Sequence, residues 1–463
     1  MRGRWTLVVG LGVSCLAALV RAEDWPGFRG PNGSATSAEK QLPAEWGADK
    51  NIAWKAALPG YGWSCPIVWG DKVFVTTAVS DKQTKPSGGF GGGGFGGRPG
   101  GFGGGRPPDA MYKFEVYCLN AADGKVLWKQ TAAEQKPTIS IHPSNTYASE
   151  TPVTDGERVY AYFGMTGVFC FDFSGQLLWK KDLGSYRMMF GHGTAASPAL
   201  DDGRLFIQCD NEEKSFLVAL DAKTGKELWR ADRVERTGWS TPLVWKNKLR
   251  TEIVCLGTPK VRSYNPATGK QLWELGGMNG QPHASMVASD ELLYVGTGGG
   301  PGAGFGGGGF GGGRGGGSKP LFAVKAGASG DITLTGGAKS NDGVAWYLPQ
   351  AGPPMASPLL YQGHLYILEE RGGILSCYDA KTGKQVYRER LPGARGFTSS
   401  PWAYEGKVFC LADDGETFVV QAGPEFKLLG KNVLSGLTWS SPAVGGGALF
   451  LRTVDQLYCI KAK

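Results

Sequence analysis

The sequence predicts an all-β protein, an eight-bladed β-propeller made of four-stranded antiparallel blades. Three observations predict this fold. The phrase ALDAKTGKELWR (219–230) returns along the chain in altered copies, a small residue followed by proline recurs before an apolar strand, and each repeat holds four short apolar segments separated by turns. Four-strand units repeated around an axis are typical of a propeller.

The small-residue–proline motif sets the phase of the repeat. Most neighbouring copies are 41 to 46 residues apart, and the two longer intervals, of 86 and 72 residues, each contain a Gly-rich tract. The copies are Ser64-Cys65-Pro66, Thr151-Pro152, Ser197-Pro198, Thr241-Pro242, Ser357-Pro358, Ser400-Pro401 and Ser441-Pro442, with Ser285-Met286 in place of an eighth. Eight copies predict eight blades.

The Asp-x-x-Thr-Gly phrase predicts a tight hairpin between the third and fourth strands of a blade. The Asp221 side chain can bond its own backbone, and Gly225 supplies the positive φ that such a turn needs. A Trp follows on the outermost strand, where a large aromatic ring can dock against the neighbouring blade. Tyr387 replaces it in one unit, and the predicted docking residues are Trp54, Trp128, Trp179, Trp229, Trp273 and Trp346.

The last repeat contains three strands, and the missing fourth is available near the start of the chain. The segment NIAWKAAL (51–58) has strand character and places Trp54 in the docking position. Pairing the two ends removes two exposed sheet edges. The ring is therefore predicted to close through its N- and C-terminal strands.

The domain organisation follows from the first residues and from two low-complexity tracts. Residues 1–22 combine basic residues, an apolar run and a small residue before Glu23, as in a cleaved signal peptide, and lipidation at Cys15 is not expected. We predict a lead segment (23–50), a propeller (51–463) and Gly-rich inserts (81–109 and 298–318). Export to the periplasm or cell envelope is expected, and no later segment is long enough to span a membrane.

Composition excludes several classes of function. The formal net charge of +8 is mild for 463 residues and no basic stripe is present, so a nucleic-acid partner is not expected. The nine cysteines form no CxxC and no adjacent pair, so neither a metal site nor a redox motif is predicted. Most of them sit in apolar strand segments, which favours burial, and the sequence does not decide which would pair.

One face of the propeller is predicted to carry the candidate ligand-binding residues. If the proline-containing strand is innermost, the loops before it share a face with the loops that hold the two Gly-rich tracts, in opposite blades. Those tracts are either solvent loops or contact arms. The loop residues either fill the channel or bind a ligand, and they are Tyr61, Trp63, His142, Asn145, Tyr147, Glu150, Arg187, His192, Arg236, Trp239, His283, Arg395 and Trp439.

The segment DWPGFRGPNG (24–33) has two interpretations. The one we favour is structural, with Trp25 and Phe28 anchoring the lead segment on the flank of the propeller. In the other interpretation, Arg29 helps to cap the channel.

The repeat phrases resemble those of the pyrroloquinoline-quinone-like (PQQ-like) eight-bladed propellers. That family includes quinoprotein dehydrogenases and a lipoprotein of the outer-membrane β-barrel assembly machinery. DWPGFRGPNG, SNTYASETPVTDGERVYAYFG and HGTAASPAL resemble exported members from planctomycete-type bacteria. The resemblance covers Asp24 to the C terminus and implies the fold, whereas the fold alone does not imply a function.

Three functions are consistent with this resemblance. We expect a non-catalytic, monomeric, exported propeller without a cofactor, which binds a protein or another envelope component, such as a polysaccharide, through its loop-rich face. The alternative is a PQQ-dependent oxidoreductase of alcohols or sugars, in which Asn145 and Glu150 are candidate Ca²⁺ ligands, although no catalytic residue can be assigned by motif. The third is a carbohydrate-binding propeller that uses Trp63, Trp239 and Trp439.

Overall fold

The computed structural model describes residues 23–86, 105–299 and 318–462, and it is built almost entirely from β-strands. Three short 3₁₀ turns lie at Pro31–Gly33, Gly164–Thr166 and Met189–Gly191. The strands in chain order are β1 (Ile52–Ala57), β2 (Ile67–Trp69), β3 (Lys72–Val79), β4 (Tyr112–Asn120), β5 (Val126–Gln135), β6 (Val153–Thr154), β7 (Arg158–Tyr162), β8 (Val168–Asp172), β9 (Leu177–Lys181), β10 (Ala199–Asp201), β11 (Arg204–Cys209), β12 (Ser215–Asp221), β13 (Glu227–Arg233), β14 (Leu243–Lys246), β15 (Thr251–Leu256), β16 (Lys260–Tyr264), β17 (Gln271–Gly276), β18 (Val287–Ala288), β19 (Leu292–Gly296), β20 (Leu321–Lys325), β21 (Gly330–Asp331), β22 (Val344–Leu348), β23 (Leu359–Tyr361), β24 (His364–Leu368), β25 (Ile374–Asp379), β26 (Gln385–Arg390), β27 (Trp402–Tyr404), β28 (Lys407–Leu411), β29 (Glu416–Gln421), β30 (Leu428–Val433), β31 (Ala443–Gly445), β32 (Ala448–Arg452) and β33 (Gln456–Lys461).

These strands form eight antiparallel sheets, which are the blades of the predicted propeller. Blades one to three are β2–β5, β6–β9 and β10–β13, and blade four is β14–β17 with β21 added in parallel. Blade five is β18, β19, β20 and β22, and blades six and seven are β23–β26 and β27–β30. Blade eight is β31–β33 with β1. The predicted fold class is confirmed.

The ring closes where β1 pairs antiparallel with β33. Trp54 lies opposite Cys459, and Ala57 lies opposite Gln456. The first strand of the chain is thus the outermost strand of the last blade, and the predicted closure is confirmed.

A closed ring of hydrogen bonds joins the eight blades around the axis. At the position before each proline, the backbone N–H donates to the side chain at the same position in the next blade. The donor–acceptor distances run from 2.9 to 3.2 Å, and at the last step the Ser441 N–H donates to Cys65 Sγ. The members of this hydroxyl ring are Cys65, Thr151, Ser197, Thr241, Ser285, Ser357, Ser400 and Ser441. The motif that marks the repeat also joins the blades.

The outer strands are joined by the aromatic contact that the turn phrase predicts. Asp221 Oδ1 accepts from the Thr224 N–H at 2.8 Å, and Gly225 has a φ of 69°. The Trp179 ring lies against this turn, 2.5 Å from where a Gly225 β-carbon would sit, and its indole N–H donates to Ala222 O at 3.1 Å. The same contact is made by Trp54, Trp128, Trp229 and Trp346.

Trp273, predicted to dock in the same way, makes a different contact. Its indole N–H donates to Glu252 Oε2 of its own blade at 2.6 Å, and its side chain is fully buried. The reason is that blade five has the longer connection 326–343 in place of the Asp-x-x-Thr-Gly turn. Within that connection β21 pairs with β17 at Trp273, and Ile332 packs into the same apolar cluster as the Trp273 ring.

The lead segment crosses the axis, which corrects the favoured interpretation that it lies on the flank. Trp25 exchanges backbone hydrogen bonds with Val68 of blade one, and Pro26 O accepts from the Thr154 N–H of blade two. Further along, the Arg29 guanidinium donates to Pro358 O before blade six, and Ala35 O accepts from the Ala403 N–H of blade seven. The segment is held by the inner strands of opposite blades, so it closes one end of the ring.

The Gly-rich inserts lie between the second and third strands of blades one and five. The flanking strands are β3 and β4 for the first tract, and β19 and β20 for the second. Residues 87–104 and 300–317, like the predicted signal peptide, lie outside the described residues. In the part of the chain that the structure describes, no helix is long and apolar enough to cross a membrane, and the eight cysteines are free.

Candidate functional site

A cavity lies on the axis, between the hydroxyl ring and the loops that precede the inner strands. We call the side with these loops the loop face, and the side crossed by the lead segment the turn face. The cavity has a volume of about 190 Å³. All eight residues of the hydroxyl ring line it, and Phe28 of the lead segment reaches it as well. The inner strands build its wall because the blades converge at this radius.

Indole and imidazole rings from the loops form much of the remaining wall. Trp63 stacks on Trp439 with 5.3 Å between ring centroids. Trp239 stacks on His283 at 4.6 Å and lies 6.1 Å from His192. Loop-to-loop hydrogen bonds hold two of the indoles, since Trp63 donates to Ser144 O at 2.8 Å and Trp239 donates to Gly193 O at 2.7 Å. The aromatic rings are thus held in place by contacts with one another.

The cavity is uncharged at neutral pH. Burial lowers the pKa of His192 to about 4, with a further contribution from His142. Burial also lowers the pKa of His283 to about 4 and lowers the pKa of His142. Among the described residues that line the cavity there is no Asp, Glu, Lys or Arg. Its polar side chains are therefore hydroxyls, the Cys65 thiol, an amide, indoles and neutral imidazoles.

Seven of the thirteen candidate site residues line this cavity. They come from loops before blades one to five and blade eight, which meet only when the ring has closed. These residues are Trp63, His142, Asn145, His192, Trp239, His283 and Trp439.

Three other candidates lie in the same loops without lining the cavity. Tyr61 bonds the backbone of Ala78, and Tyr147 is buried with its hydroxyl donating to Ile139 O at 2.8 Å. Glu150 is buried near Gly164, because Ser149 and Thr151 on either side of it face the cavity and alternate residues of an extended segment point in opposite directions. Burial raises the pKa of Glu150 to about 7.

The last three candidates, Arg187, Arg236 and Arg395, are exposed. Arg187 and Arg236 lie in neighbouring loops, which are joined where the Met189 N–H donates to Thr237 Oγ1 at 2.8 Å. Phe190 and Val234 in the same loops are 47% and 80% exposed. We call Arg187, Phe190, Val234 and Arg236 the loop patch. Phe190 has a φ of 52°, a strained conformation for an aromatic residue.

Sequence reasoning missed the hydroxyl ring and Phe28 as parts of the cavity. The small residues of the motif by themselves indicate only the number of blades. The available signal was that nearly every copy of the motif places a hydroxyl-bearing residue at the same phase of the repeat. Phe28 had no comparable signal, because its position depends on the path of the lead segment across the axis.

The repeats match a known family. A model described as "Outer membrane protein assembly factor BamB", which represents PQQ-type repeats, matches residues 113–275, 164–307 and 333–423. Together these matches cover more than half of the chain. The chain belongs to the BamB-type PQQ-repeat family. The recognised repeat family is thereby confirmed.

Two curated relatives match parts of this family member. The outer membrane protein assembly factor BamB of Burkholderia pseudomallei is 31% identical over 106 residues, which is 21% of this chain and 25% of that protein. The tetrathionate hydrolase of Acidithiobacillus ferrooxidans is 25% identical over 222 residues, which is 47% of this chain and 33% of that protein. The chain thus spans a quarter to a third of the curated relatives it matches.

Solved structures share the architecture at low identity. BamB from Moraxella catarrhalis matches with a TM-score of 0.51 and 11% identity, over 88% of this chain and 99% of that one. A quinohemoprotein alcohol dehydrogenase from Pseudomonas putida HK5 matches with a TM-score of 0.53 and 12% identity, over 95% of this chain and 81% of that one. At these identities the likeness shows the fold alone.

The cavity's donor set does not fit PQQ held by Ca²⁺. Ca²⁺ takes six to eight oxygen ligands, usually with carboxylates among them, whereas the described cavity lining has no carboxylate. Glu150 points elsewhere, and Asn145 is engaged through its Nδ2 with His192 O at 2.8 Å and through its Oδ1 with the Thr146 N–H at 2.7 Å. Across the described chain, no group of three or more His, Cys, Asp or Glu side chains is placed to hold a metal ion.

Proposed function

We propose that this protein is a non-catalytic propeller of the cell envelope that binds another envelope protein through its loop face. The observation that carries the proposal is the loop patch, in which exposed Phe190, with a strained backbone, exposed Val234 and two exposed arginines lie in two loops that are hydrogen-bonded to each other. Aromatic and arginine side chains are enriched at protein interfaces and dominate their binding energy.

Membership of the BamB-type family supports an envelope partner. The printed name of the relative from B. pseudomallei is an outer membrane protein assembly factor, so we propose a partner from outer-membrane protein assembly. An envelope location also agrees with the predicted signal peptide and with the resemblance of the lead segment to exported propellers of planctomycete-type bacteria.

The closed turn face supports assigning the binding to the loop face. Trp25 and Arg29 of the lead segment are 1% and 2% exposed, so this end of the ring is already filled by the chain itself. The connections that carry the Gly-rich tracts begin and end on the loop face, at β3 and β4 and at β19 and β20. We propose that the tracts contribute to binding as contact arms.

Site-specific photo-crosslinking in exporting cells tests this function. A photoreactive residue at position 190 or 234 should give an adduct with an envelope protein. The same residue at Leu249, which is 64% exposed in the β14–β15 turn of the turn face, should not. Equal adducts from position 249, or none from positions 190 and 234, would contradict the proposal.

A matched substitution separates binding from stability. Phe190→Gly removes the aromatic ring and relieves the positive φ, so folding should be retained while the adduct formed from position 234 is lost. Deleting residues 87–104 and 300–317 should weaken that adduct, and an unchanged adduct would show that the arms do not contribute.

The oxidoreductase alternative has a direct test. Purified protein incubated with PQQ and Ca²⁺ should show neither a bound chromophore nor dye-linked oxidation of alcohols or sugars. Saturable binding accompanied by turnover would replace the non-catalytic function with the enzymatic one.

A further inference from the structure

The hydroxyl ring carries hydrogen-bond donors that the protein does not use. Seven of its members are Ser or Thr, and each oxygen accepts one backbone N–H from the preceding blade. A hydroxyl can also donate one hydrogen bond. All seven line the axial cavity. The Thr151 and Ser441 hydroxyls are hydrogen-bonded to the Cys65 thiol, and within the described residues the other five donate to no protein acceptor. Ser197, Ser357 and Ser400 are 3 to 4% exposed.

Two buried guanidinium groups lie directly outside this ring. Arg452 is fully buried and donates to Ser64 O and Thr76 O at 3.1 and 2.8 Å, next to Cys65 of the ring. Arg29 follows Phe28, which lines the cavity, and donates to Pro358 O, next to Ser357 of the ring. In the described structure neither group has a carboxylate within ion-pairing distance, and burying a cation without an anion is costly.

The aromatic part of the wall argues against a sugar as the ligand. Stacking on a sugar requires an open ring face, but Trp63 and Trp439 stack on each other and Trp239 stacks on His283. A sugar hydroxyl is also a donor, whereas the ring offers an excess of unused donors. A ligand with several acceptor oxygens, more acceptors than donors and a negative charge matches the hydroxyls and the buried cations together.

We propose that the axial cavity binds an oxyanion, in the form of inorganic sulfate or phosphate or of the same group on a larger ligand. The oxygens of the ligand accept hydrogen bonds from the five hydroxyls that have no protein acceptor, those of Ser197, Thr241, Ser285, Ser357 and Ser400. Its charge is balanced by the guanidinium groups of Arg29 and Arg452, which lie directly outside the hydroxyl ring. The loops with Trp63, Trp239 and Trp439 cover it from the loop face.

The native Cys65 provides the design of the test. At this position Sγ already accepts the Ser441 N–H at 3.2 Å, so a cysteine can replace a ring serine without removing the acceptor. Its S–H is a weak donor. The double variant S357C/S400C therefore weakens two donors and keeps the ring closed, while C65S adds an eighth hydroxyl. S174C, in an exposed turn, controls for the introduced thiols.

The experiment is a titration of the purified full chain with sodium sulfate and with sodium phosphate at constant ionic strength, followed by tryptophan fluorescence and calorimetry. We expect saturable binding that is about tenfold weaker in S357C/S400C, tighter in C65S and unchanged in S174C. An NMR titration of the same samples should show that sulfate raises the pKa of His192 and His283. The same titration with a phosphate ester that carries an apolar tail distinguishes the two forms of the ligand. Tighter binding of the ester than of inorganic phosphate would indicate a larger ligand, and weaker binding would indicate the free ion.

Several results would overturn the proposal. These are an absence of saturable anion binding, equal binding by S357C/S400C and the parent, or binding of glucose in place of sulfate. If the double variant fails to fold, C65S and the histidine titration still test the proposal, because C65S should bind the anion more tightly and sulfate should raise the pKa of His192 and His283. The oxyanion site and the proposed protein-binding face fail separately, because the crosslinking experiment does not involve the cavity.

Discussion

The interface between blades two and three and the seam between blades eight and one make the same two contacts in different settings. At the regular interface, the Thr151 N–H donates to Ser197 Oγ at 2.9 Å and the Trp179 indole donates to Ala222 O. At the seam, the Ser441 N–H donates to Cys65 Sγ at 3.2 Å and the Trp54 indole donates to Ala121 O at 2.9 Å. The seam therefore uses the same ring hydrogen bond as the other interfaces, but its acceptor, the Cys65 sulfur, is weaker than a hydroxyl oxygen.

The seam adds contacts that the regular interface does not need. Arg452 of blade eight donates to Ser64 and Thr76 of blade one, and Ser440 Oγ donates to Trp63 O at 2.9 Å. These contacts stabilise a blade whose outer strand, β1, is not joined by a hairpin to β33. The seam is therefore strengthened near the axis, where the blades are closest, while its outer edge depends on the pairing of β1 with β33 and on the docked Trp54.

The largest expected effect comes from removing the docking Trp on each side of this comparison. Trp179→Ala should lower the free energy of unfolding by about 3 kcal/mol and Trp54→Ala by about 4 kcal/mol. The seam variant should lose more because β1 can separate from β33, whereas β9 stays attached to β8 through its turn. Urea denaturation of both variants measures the difference. Equal losses would show that the seam behaves like any other interface.

A buried carboxyl gives the regular interface a pH dependence between acid and neutral pH. Burial raises the pKa of Glu150 to about 7 from an ordinary 4.5, so between these values the folded protein holds a proton that the unfolded chain has released. Its contribution to stability is present below pH 4.5 and is lost as the pH rises through 7. The free energy of unfolding of the parent should fall by roughly 2–3 kcal/mol between pH 5 and pH 8, and the Glu150→Gln variant should not show this fall.

Denaturation of the Glu150→Gln variant and the parent at both pH values checks this expectation. A parallel pH dependence in the two proteins would show that another group is responsible.

Removing one ring acceptor at each place should have a smaller effect. Ser197→Ala leaves the Thr151 N–H buried without its acceptor and should cost about 2 kcal/mol. Cys65→Ala removes a sulfur acceptor, which is weaker, and should cost about 1 kcal/mol. Thermal unfolding of Ser197→Ala and Cys65→Ala measures both losses. A larger loss in Cys65→Ala than in Ser197→Ala would contradict the prediction.

The smallest effect is expected from exchanging the two ring side chains. Ser197→Cys and Cys65→Ser each keep an acceptor of similar size, so the unfolding free energy should change by less than about 1 kcal/mol. A larger loss in Cys65→Ser would mean that the seam requires sulfur at this position. Calorimetry on both variants provides the measurement.

The sequence predicts what repeats, and the structure adds what depends on distant parts of the chain. The blade count, the turns with Asp221 and Gly225, and the closure by Trp54 all follow from local patterns that recur. Trp273 departs from its pattern because a connection more than fifty residues further along covers it with β21. No local feature of the Trp273 repeat signals that contact.

The candidate site was partly predictable for the same reason. Loop residues such as Trp63 and His192 stand at a fixed place before the inner strand, so the repeat assigns them to the cavity. Glu150 stands at nearly the same place, yet the alternation of an extended segment turns it away from the axis. Phe28 reaches the cavity through a path set by contacts with Val68, Thr154 and Ala403, which are far apart in the chain.

The pairing of β1 with β33 has a consequence for how the protein is made. Synthesis from the N terminus produces residues 52–57 almost at once, and their partner, 456–461, emerges only when nearly the whole polypeptide is finished. Until then the growing arc has a free ribbon at one end and an open sheet at the other, both able to join neighbouring chains. A product truncated before residue 456 would keep both edges and would be prone to aggregate.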